Sequence, residues 1–586
     1  MKLEFNAALS KYNLLLLILV YFSCVYIIFP TAALAQLSQN SSEGIFSDPN
    51  QHKFPQPLPT VVPIPNEDEP SLETPPTPAP INNPESRQIN IPVKKIEVIG
   101  NTILSSEDIN QIIKKYENRD VTLSQLRSAA EEISQLYLDK GYITSRAIIA
   151  NQKIIDGIVT IQAIEGGIEQ IIIEGNQRVK PSYIRSRVKL GNTTPLRRQT
   201  LEDQLRLLKI DPLFTNIEAS LRPGTKLGQS ILVVRVKEAN ALISSFNLDN
   251  YSPPSVGSER FGAVVGTRNT TGIGDELTAA YQRSTTGGLQ IFDFNYRVPI
   301  NPMEGAIQLQ VTSSNSKVTA PDFKDLGIEG NNQLYEISYR QPLIRTPREE
   351  FALSLAYSHQ DGQTFIFNNL PFAFGIGPDQ NGNSRTRVIK FGQDYIKRDL
   401  QGAWALRSQF NFGLGIFNAT INDAPVPDGR FFSWTGQLQR VQLLNQSNIL
   451  ILQGDIQLTP HSLLPSQQFV VGGGQSVRGF RQNVRTGDNG FRFSVEDRIV
   501  LQRNESGQPI IQLTPFIDLG MVWNQSDNPN KLPRQNFLAG AGLGVLWELF
   551  PGLNLRVDYA FPFVELDDQG DNAQDNGLFF SLNYRL

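Results

Sequence analysis

Near its C-terminal end the chain reads Leu553-Asn554-Leu555-Arg556-Val557-Asp558-Tyr559-Ala560-Phe561-Pro562-Phe563, and after a polar connection Leu578-Phe579-Phe580-Ser581-Leu582-Asn583-Tyr584-Arg585-Leu586. Successive side chains of a β-strand point to opposite faces. The first stretch therefore sets Leu553, Leu555, Val557, Tyr559, Phe561 and Phe563 on one face, against Asn554, Arg556 and Asp558 on the other. The second sets Leu578, Phe580, Leu582, Tyr584 and Leu586 against Ser581, Asn583 and Arg585. One wholly apolar face and one charged face suit a strand between lipid and a wet lumen. A soluble sandwich more often shows two partly apolar faces.

Working outward, about 16 such segments run back to residue 240 with no persistent helical period. They begin near Ala241, Arg260, Leu277, Leu289, Ala306, Leu334, Phe351, Arg387, Trp404, Phe432, Ile449, Phe491, Ile510, Phe537, Leu553 and Leu578. Their connections alternate in length. Short ones include Pro302-Met303-Glu304, Thr346-Pro347-Arg348 and Pro551-Gly552, whereas polar stretches at 317–332, 361–385, 416–430, 459–490, 524–535 and 565–577 are long. Short periplasmic turns and long external loops are the asymmetry of an outer-membrane barrel. With the N-terminal region in the periplasm, the long connections fall after odd-numbered strands, as that topology requires. The expected fold is a 16-stranded antiparallel transmembrane β-barrel over 240–586.

Composition agrees. The 586 residues are 40% hydrophobic and 19% charged, with net charge -4. That balance excludes a strongly basic nucleic-acid binder. Only Leu14 to Phe29 approaches the ~20 apolar residues a membrane helix needs. Lys2 and Lys11 precede this run and Ala33-Leu34-Ala35 follows it, so 1–35 reads as a secretory signal peptide. The sole cysteine, Cys24, lies inside it. A mature chain starting after Ala35 has no disulfide, thiolate metal site or cysteine nucleophile. Residues 36–92 carry 13 of the 37 prolines and read as an extended, disordered linker.

Two α+β modules are expected between linker and barrel, at 93–166 and 167–239. In the first, Val93 to Asn101 is a strand, Ser105 to Asn118 and Leu123 to Leu138 are helices, and Ile143 to Ile155 and Ile158 to Ile164 are strands. The order then repeats, with Gly175-Asn176 closing the first strand as Gly100-Asn101 did. Tandem copies of about 75 residues are a repeat signature, and exposed strand edges can accept an extended peptide.

The longest late connection contains Gly472-Gly473-Gly474-Gln475-Ser476-Val477-Arg478-Gly479-Phe480. Its glycines lack the Lys-Ser or Lys-Thr pair and the strand-to-helix setting of a phosphate cradle. On the thirteenth segment, Phe516-Ile517-Asp518-Leu519-Gly520 turns Asp518 toward the lumen. Here the residues become recognisable. Val477, Arg478, Gly479 and Phe480 resemble the loop motif of the POTRA-bearing outer-membrane translocation superfamily, and Phe516, Asp518 and Gly520 resemble its strand partner. Gly141-Tyr142-Ile143-Thr144-Ser145-Arg146, with Gly157, Glu165-Gly166 and Ile168-Glu169, resembles the first module of two-partner secretion transporters. The similarity spans about residue 93 to the C-terminus.

The resemblance implies that the loop folds back into the barrel and that Arg478 pairs with Asp518. Physical reasoning agrees, since an arginine in a confined lumen needs a counter-ion. It also implies type V, two-partner secretion of an unfolded adhesin- or haemolysin-like exoprotein, with Gly141, Tyr142, Thr144 and Arg146 as client-contact candidates. Outer-membrane lipid and the barrel-assembly machinery are the other expected partners, and the expected location is the outer membrane with the POTRA modules in the periplasm. A barrel insertase and a passive porin are the rival readings.

Three features depart from the family pattern. Ala150-Asn151-Gln152 lacks the usual proline, the chain ends in Leu586 rather than an aromatic residue, and Glu496-Asp497-Arg498 points Asp497 at lipid unless a bulge or bend intervenes. No enzymatic activity, cofactor or metal is expected. His52, His359 and His461 are isolated, and the acidic stretches at 379–383 and 567–571 lack the glycine and distal glutamate of a calcium hand.

Overall fold

The computed structural model describes residues 90–586. The expected leader and almost all of the expected linker lie outside the described residues. Asn90-Ile91-Pro92 does not belong to the linker, because β1 (Asn90–Val93) pairs antiparallel with β3 (Arg119–Thr122).

The first module continues with β2 (Lys95–Ile99), α1 (Ser106–Ile113), α2 (Leu123–Asp139), β4 (Arg146–Ile149) and β5 (Ile158–Ile164). Ser105 caps α1 by accepting from the Asp108 amide, and Thr122 and Gln125 form a reciprocal capping box on α2. The apolar stripe Leu126, Ala130, Ile133 and Tyr137 of α2 buries against Val159, Ile161 and Ala163 of β5. β5 is central, parallel to β2 and antiparallel to β4. The strand expected over 143–155 shrinks to four residues for a local reason. The Gln152 carboxamide takes over the ladder, accepting from Thr160 N at 2.7 Å and donating to Thr160 O at 2.7 Å.

The second module repeats this plan with β6 (Gly167–Glu174), α3 (Pro181–Lys189), α4 (Arg198–Lys209), β7 (Phe214–Pro223) and β8 (Gln229–Glu238). β8 is central, parallel to β6 and antiparallel to β7. The repeated Gly-Asn turn is built alike in both. Gly100 and Gly175 have φ of +79° and +83°, and a Cβ on either would sit 2.5 and 2.3 Å from a carbonyl of the central strand. Asn101 and Asn176 each donate to the carbonyl three residues on.

Sixteen antiparallel strands close the barrel, from strand 1 (Leu242–Asp249) to strand 16 (Leu578–Arg585), which pair with each other. All sixteen start within five residues of the positions read from the sequence. Exposed Phe292, Phe294, Ile337, Leu355, Leu543, Val545, Tyr559 and Phe561 form the outward apolar band. Strand 6 (Glu329–Arg345), strand 7 (Glu349–Ile366) and strand 8 (Asn383–Asp399) run to 17, 18 and 17 residues. At ~3.3 Å per residue and ~40° tilt, 18 residues rise about 45 Å, well past an apolar band of about 25 Å. Strand therefore takes both ends of the connection expected over 361–385, through Ile366 and from Asn383, and the barrel wall projects on its outer side.

Candidate functional site

The connection between strand 11 (Asn448–Leu458) and strand 12 (Asn489–Arg503) folds inward. A short ribbon, Phe469–Val471 against Arg485–Gly487, brackets its tip. Phe469, Val471, Val477 and Phe480 are buried with Val522 and Leu538 of the wall. Gly472, Gly473 and Gly479, with φ of +104°, +109° and +96°, allow the chain to double back. The side of Gly520 is filled by Val477, whose Cγ2 would lie 2.9 Å from any Cβ there.

Arg478 ends up fully enclosed. Its Nε donates to Asp518 Oδ2 at 2.6 Å and its Nη2 to Asp518 Oδ1 at 2.9 Å. Its own backbone amide adds a third bond to Asp518, at 3.1 Å. The guanidinium lies 3.3 Å over the Phe516 ring. The residues read from the two sequence motifs are thus brought together.

Sequence reasoning missed the rest of the cluster. Glu496 accepts from Arg478 Nη1 at 2.9 Å, Arg556 Nη2 at 2.6 Å and Arg498 Nε at 2.9 Å. Arg556 also binds Asp558 at 2.6 Å, and Ser494 donates to Asp518 at 2.6 Å. Three guanidinium groups (Arg478, Arg498, Arg556) meet three carboxylates (Glu496, Asp518, Asp558), so the cluster is neutral as a whole. Alternation did mark Arg556 and Asp558 as lumen-facing. What no local pattern carries is that strands 12, 13 (Pro509–Trp523) and 15 (Leu553–Pro562) aim them at one point.

Asp497 sits in the outward row, as alternation requires, and no bulge rescues it. The register through Glu496↔Phe516 and Ile499↔Leu513 is continuous, and the irregularities fall lower, between Val500 and Arg503. The ladder is instead interrupted opposite Pro515, which has no N–H to give. Asp497 is buried with one oxygen unpartnered, and the other lies 3.4 Å from Asn448 Nδ2.

Outside the membrane the same loop is tied to its neighbours. Arg485 and Arg481 bind Asp568 at 2.7 Å each, and these two guanidinium groups hold its carboxyl down at about 2. Asp488 accepts from Leu463 N, Gln525 N and Asn528 Nδ2.

The candidates in the first module divide. Gly141 accepts at its carbonyl from Arg198 N at 2.9 Å. Tyr142 packs edge-to-face on Tyr137. The carbonyl of Thr144 lies 2.2 Å from where a Cβ on Gly166 would be. All three are half-buried, and the Gly141 carbonyl ties the first module to α4 of the second, whereas Arg146 is exposed on the edge strand β4. His359 meets Tyr335 edge to face and lies 3.3 Å from Asp361, while His461 accepts from Phe432 N. Asp379 is occupied by the amides of Asn381 and Asn383. No cluster able to hold a metal exists among the described residues.

A closed barrel with two α+β modules at its N-terminal end and an arginine-bearing loop pinned in its lumen defines an outer-membrane protein-translocation pore. The chain belongs to the haemolysin secretion/activation protein family ShlB/FhaC/HecB, whose model matches residues 228–546. A ShlB-type POTRA domain matches residues 91–166. Similar proteins include the heme/hemopexin transporter protein HuxB of Haemophilus influenzae, 23% identical over 85% of this chain and 87% of that one. The outer membrane transporter CdiB of Escherichia coli is 22% identical over 77% and 76%. In fold the chain is similar to the solved CdiB structures of Escherichia coli, with TM-score 0.66, 20% identity and coverage of 87% and 93%, and of Acinetobacter baumannii, with TM-score 0.58, 18% identity and coverage of 86% and 91%. The chain is an outer-membrane transporter with its POTRA modules in the periplasm.

Proposed function

We propose that the chain exports a partner exoprotein of the adhesin or haemolysin-like class, unfolded, through its barrel. The observation that carries this reading is the Arg478 loop, held inside the lumen by a neutral buried cluster rather than lying over it as an external flap. A loop tip pinned by one charge cluster suits a plug that yields to a passing chain once those pairs are broken. Exposed edges β4 and β7 offer the client backbone pairing, with Arg146 beside the first. The outward apolar band contacts lipid, and the barrel-assembly machinery inserts the chain.

The test compares proteins released to the medium with and without this chain. Loss of one or two large exoproteins is expected. Depletion of many outer-membrane barrels would instead make the chain an insertase, and an unchanged medium with altered solute uptake would make it a porin.

A further inference from the structure

The second module sits on the barrel rim through contacts at three of the seven periplasmic turns. At the first turn (269–275), the Lys180 amide donates to Gly272 O at 2.9 Å, and the Tyr183 ring fills the space beside Gly274. At the second (300–305), Glu304 holds a left-handed φ of +63° and presents its carboxylate upward into α3. Arg187 binds it through Nε at 2.9 Å and through Nη2. Arg297 Nη2 donates to it at 3.1 Å, and Arg345 Nη1 lies 3.8 Å away. The Arg187 guanidinium is also stacked 3.4 Å over Tyr183, whose hydroxyl donates to Asp211 at 2.8 Å. At the third turn (346–348), Arg348 lies 3.6 Å from Asp203 of α4.

These contacts gather at the turns that join strands 2 to 7. One buried carboxylate gathers three guanidinium groups, one from the module and two from the wall. Besides Glu304, Arg345 has Glu350 at 3.8 Å, and Arg187 lies over the Tyr183 ring. Lifting the module away would leave Arg297 and Arg345 on Glu304 and separate Arg187 from its charge partner. We infer that Glu304 is a positioning residue that keeps the second module seated on the rim beneath strands 2 to 7 while export proceeds, so that the client passes into the lumen beneath strands 8 to 16. This rests on the export reading above.

The contact at the first turn supplies the test. A Cβ on Gly272 would lie 3.0 Å from Lys180 Cγ, close to where a cysteine sulfur at 180 would sit, so the pair Lys180→Cys with Gly272→Cys can lock the module on the rim. The backbone at 272 has φ +88°, and locking efficiency is read by gel shift in the membrane-inserted protein. The locked chain is expected to export its partner at the unlocked rate, with or without reductant. Export blocked until the disulfide is reduced would overturn the inference. Glu304→Gln should lower export about tenfold, and the lock should restore it, a rescue that a purely structural role would not give. Failure of that rescue removes Glu304 from the role. In a third measurement, photo-reactive residues are placed in the full chain and export is stalled with a folded domain fused to the partner. Stalled partner should label positions 401, 446 and 506. Labelling at 273, 302 and 347 instead would overturn the proposed side of passage. Absence of any exported partner would remove the export reading itself, whereas export with the wrong contacts removes only this inference.

Discussion

Arg478→Ala is the perturbation from which the cluster gives the sharpest number. The guanidinium is enclosed and two-pronged on Asp518, which itself has no solvent exposure, with a further bond to Glu496. Deleting it leaves Asp518 with Ser494 and one backbone amide, and tips the neutral cluster to a net charge of about -1. Removing one partner of a buried pair costs about 3–5 kcal/mol. At 1.4 kcal/mol per tenfold, the docked-to-free ratio of the loop should fall roughly a hundredfold to a few thousandfold. Amide hydrogen exchange on the chain in lipid nanodiscs reads this directly. Protection over 472–482 should drop by that factor while strands 12 and 13 keep theirs, and single-channel conductance should rise. Arg478→Lys should fall between, since an ammonium keeps the charge but cannot span Asp518 and Glu496 with one planar fork. Unchanged loop protection in both variants would refute the reasoning.

Three further outcomes follow from named contacts. Gly540→Ala would put a Cβ 2.5 Å from the Arg478 carbonyl and should loosen the loop much as Arg478→Ala does, whereas Gly454→Ala, with nothing closer than 3.7 Å, should leave loop exchange unchanged. The Asp568 carboxyl is depressed from 3.8 to about 2 by Arg485 and Arg481, so its contribution is full above 3.8 and lost as pH falls through about 2; proteolysis of the outer loops by an acid-stable protease should accelerate across that window and not between pH 8 and 5. Asp497→Leu replaces a buried carboxyl with one unpartnered oxygen in the lipid-facing row, so it should stabilise the barrel by about 1–2 kcal/mol; heat-induced unfolding on gels at a lower temperature than the parent chain would contradict that.

The barrel was legible because its constraint is local and periodic. Every strand must show lipid one face and the lumen the other, and Leu553 to Phe563 states this within eleven residues. The loop and its aspartate were legible for a different reason, since Arg478 and Asp518 stand in motifs whose family pairing is known. Glu496, Arg556 and Asp558 were not assigned, because their convergence depends on register and barrel closure. The first module hid two features for equally physical reasons. Its β1–β3 ribbon is four residues a side, too short to show a period, and β4 ends early because a side chain, Gln152, replaces backbone pairing. The outer ends of strands 6 to 8 were read as loop because polar residues there face water on both sides once the wall has left the membrane. Gly141 shows how a motif residue can also mark a joint between modules, since its carbonyl accepts from Arg198.

Passage of the partner through the lumen is the central claim, and strand 9 (Gly402–Gly413) separates inside from outside within a few residues. Gln409 faces inward, bonded to Asn411, while Leu406 is exposed on the lipid face. A photo-reactive residue at each position, in cells stalled midway through export, measures which side of the wall the partner travels. Adducts at 409 and none at 406 are predicted, and adducts at 406 without any at 409 would contradict the account.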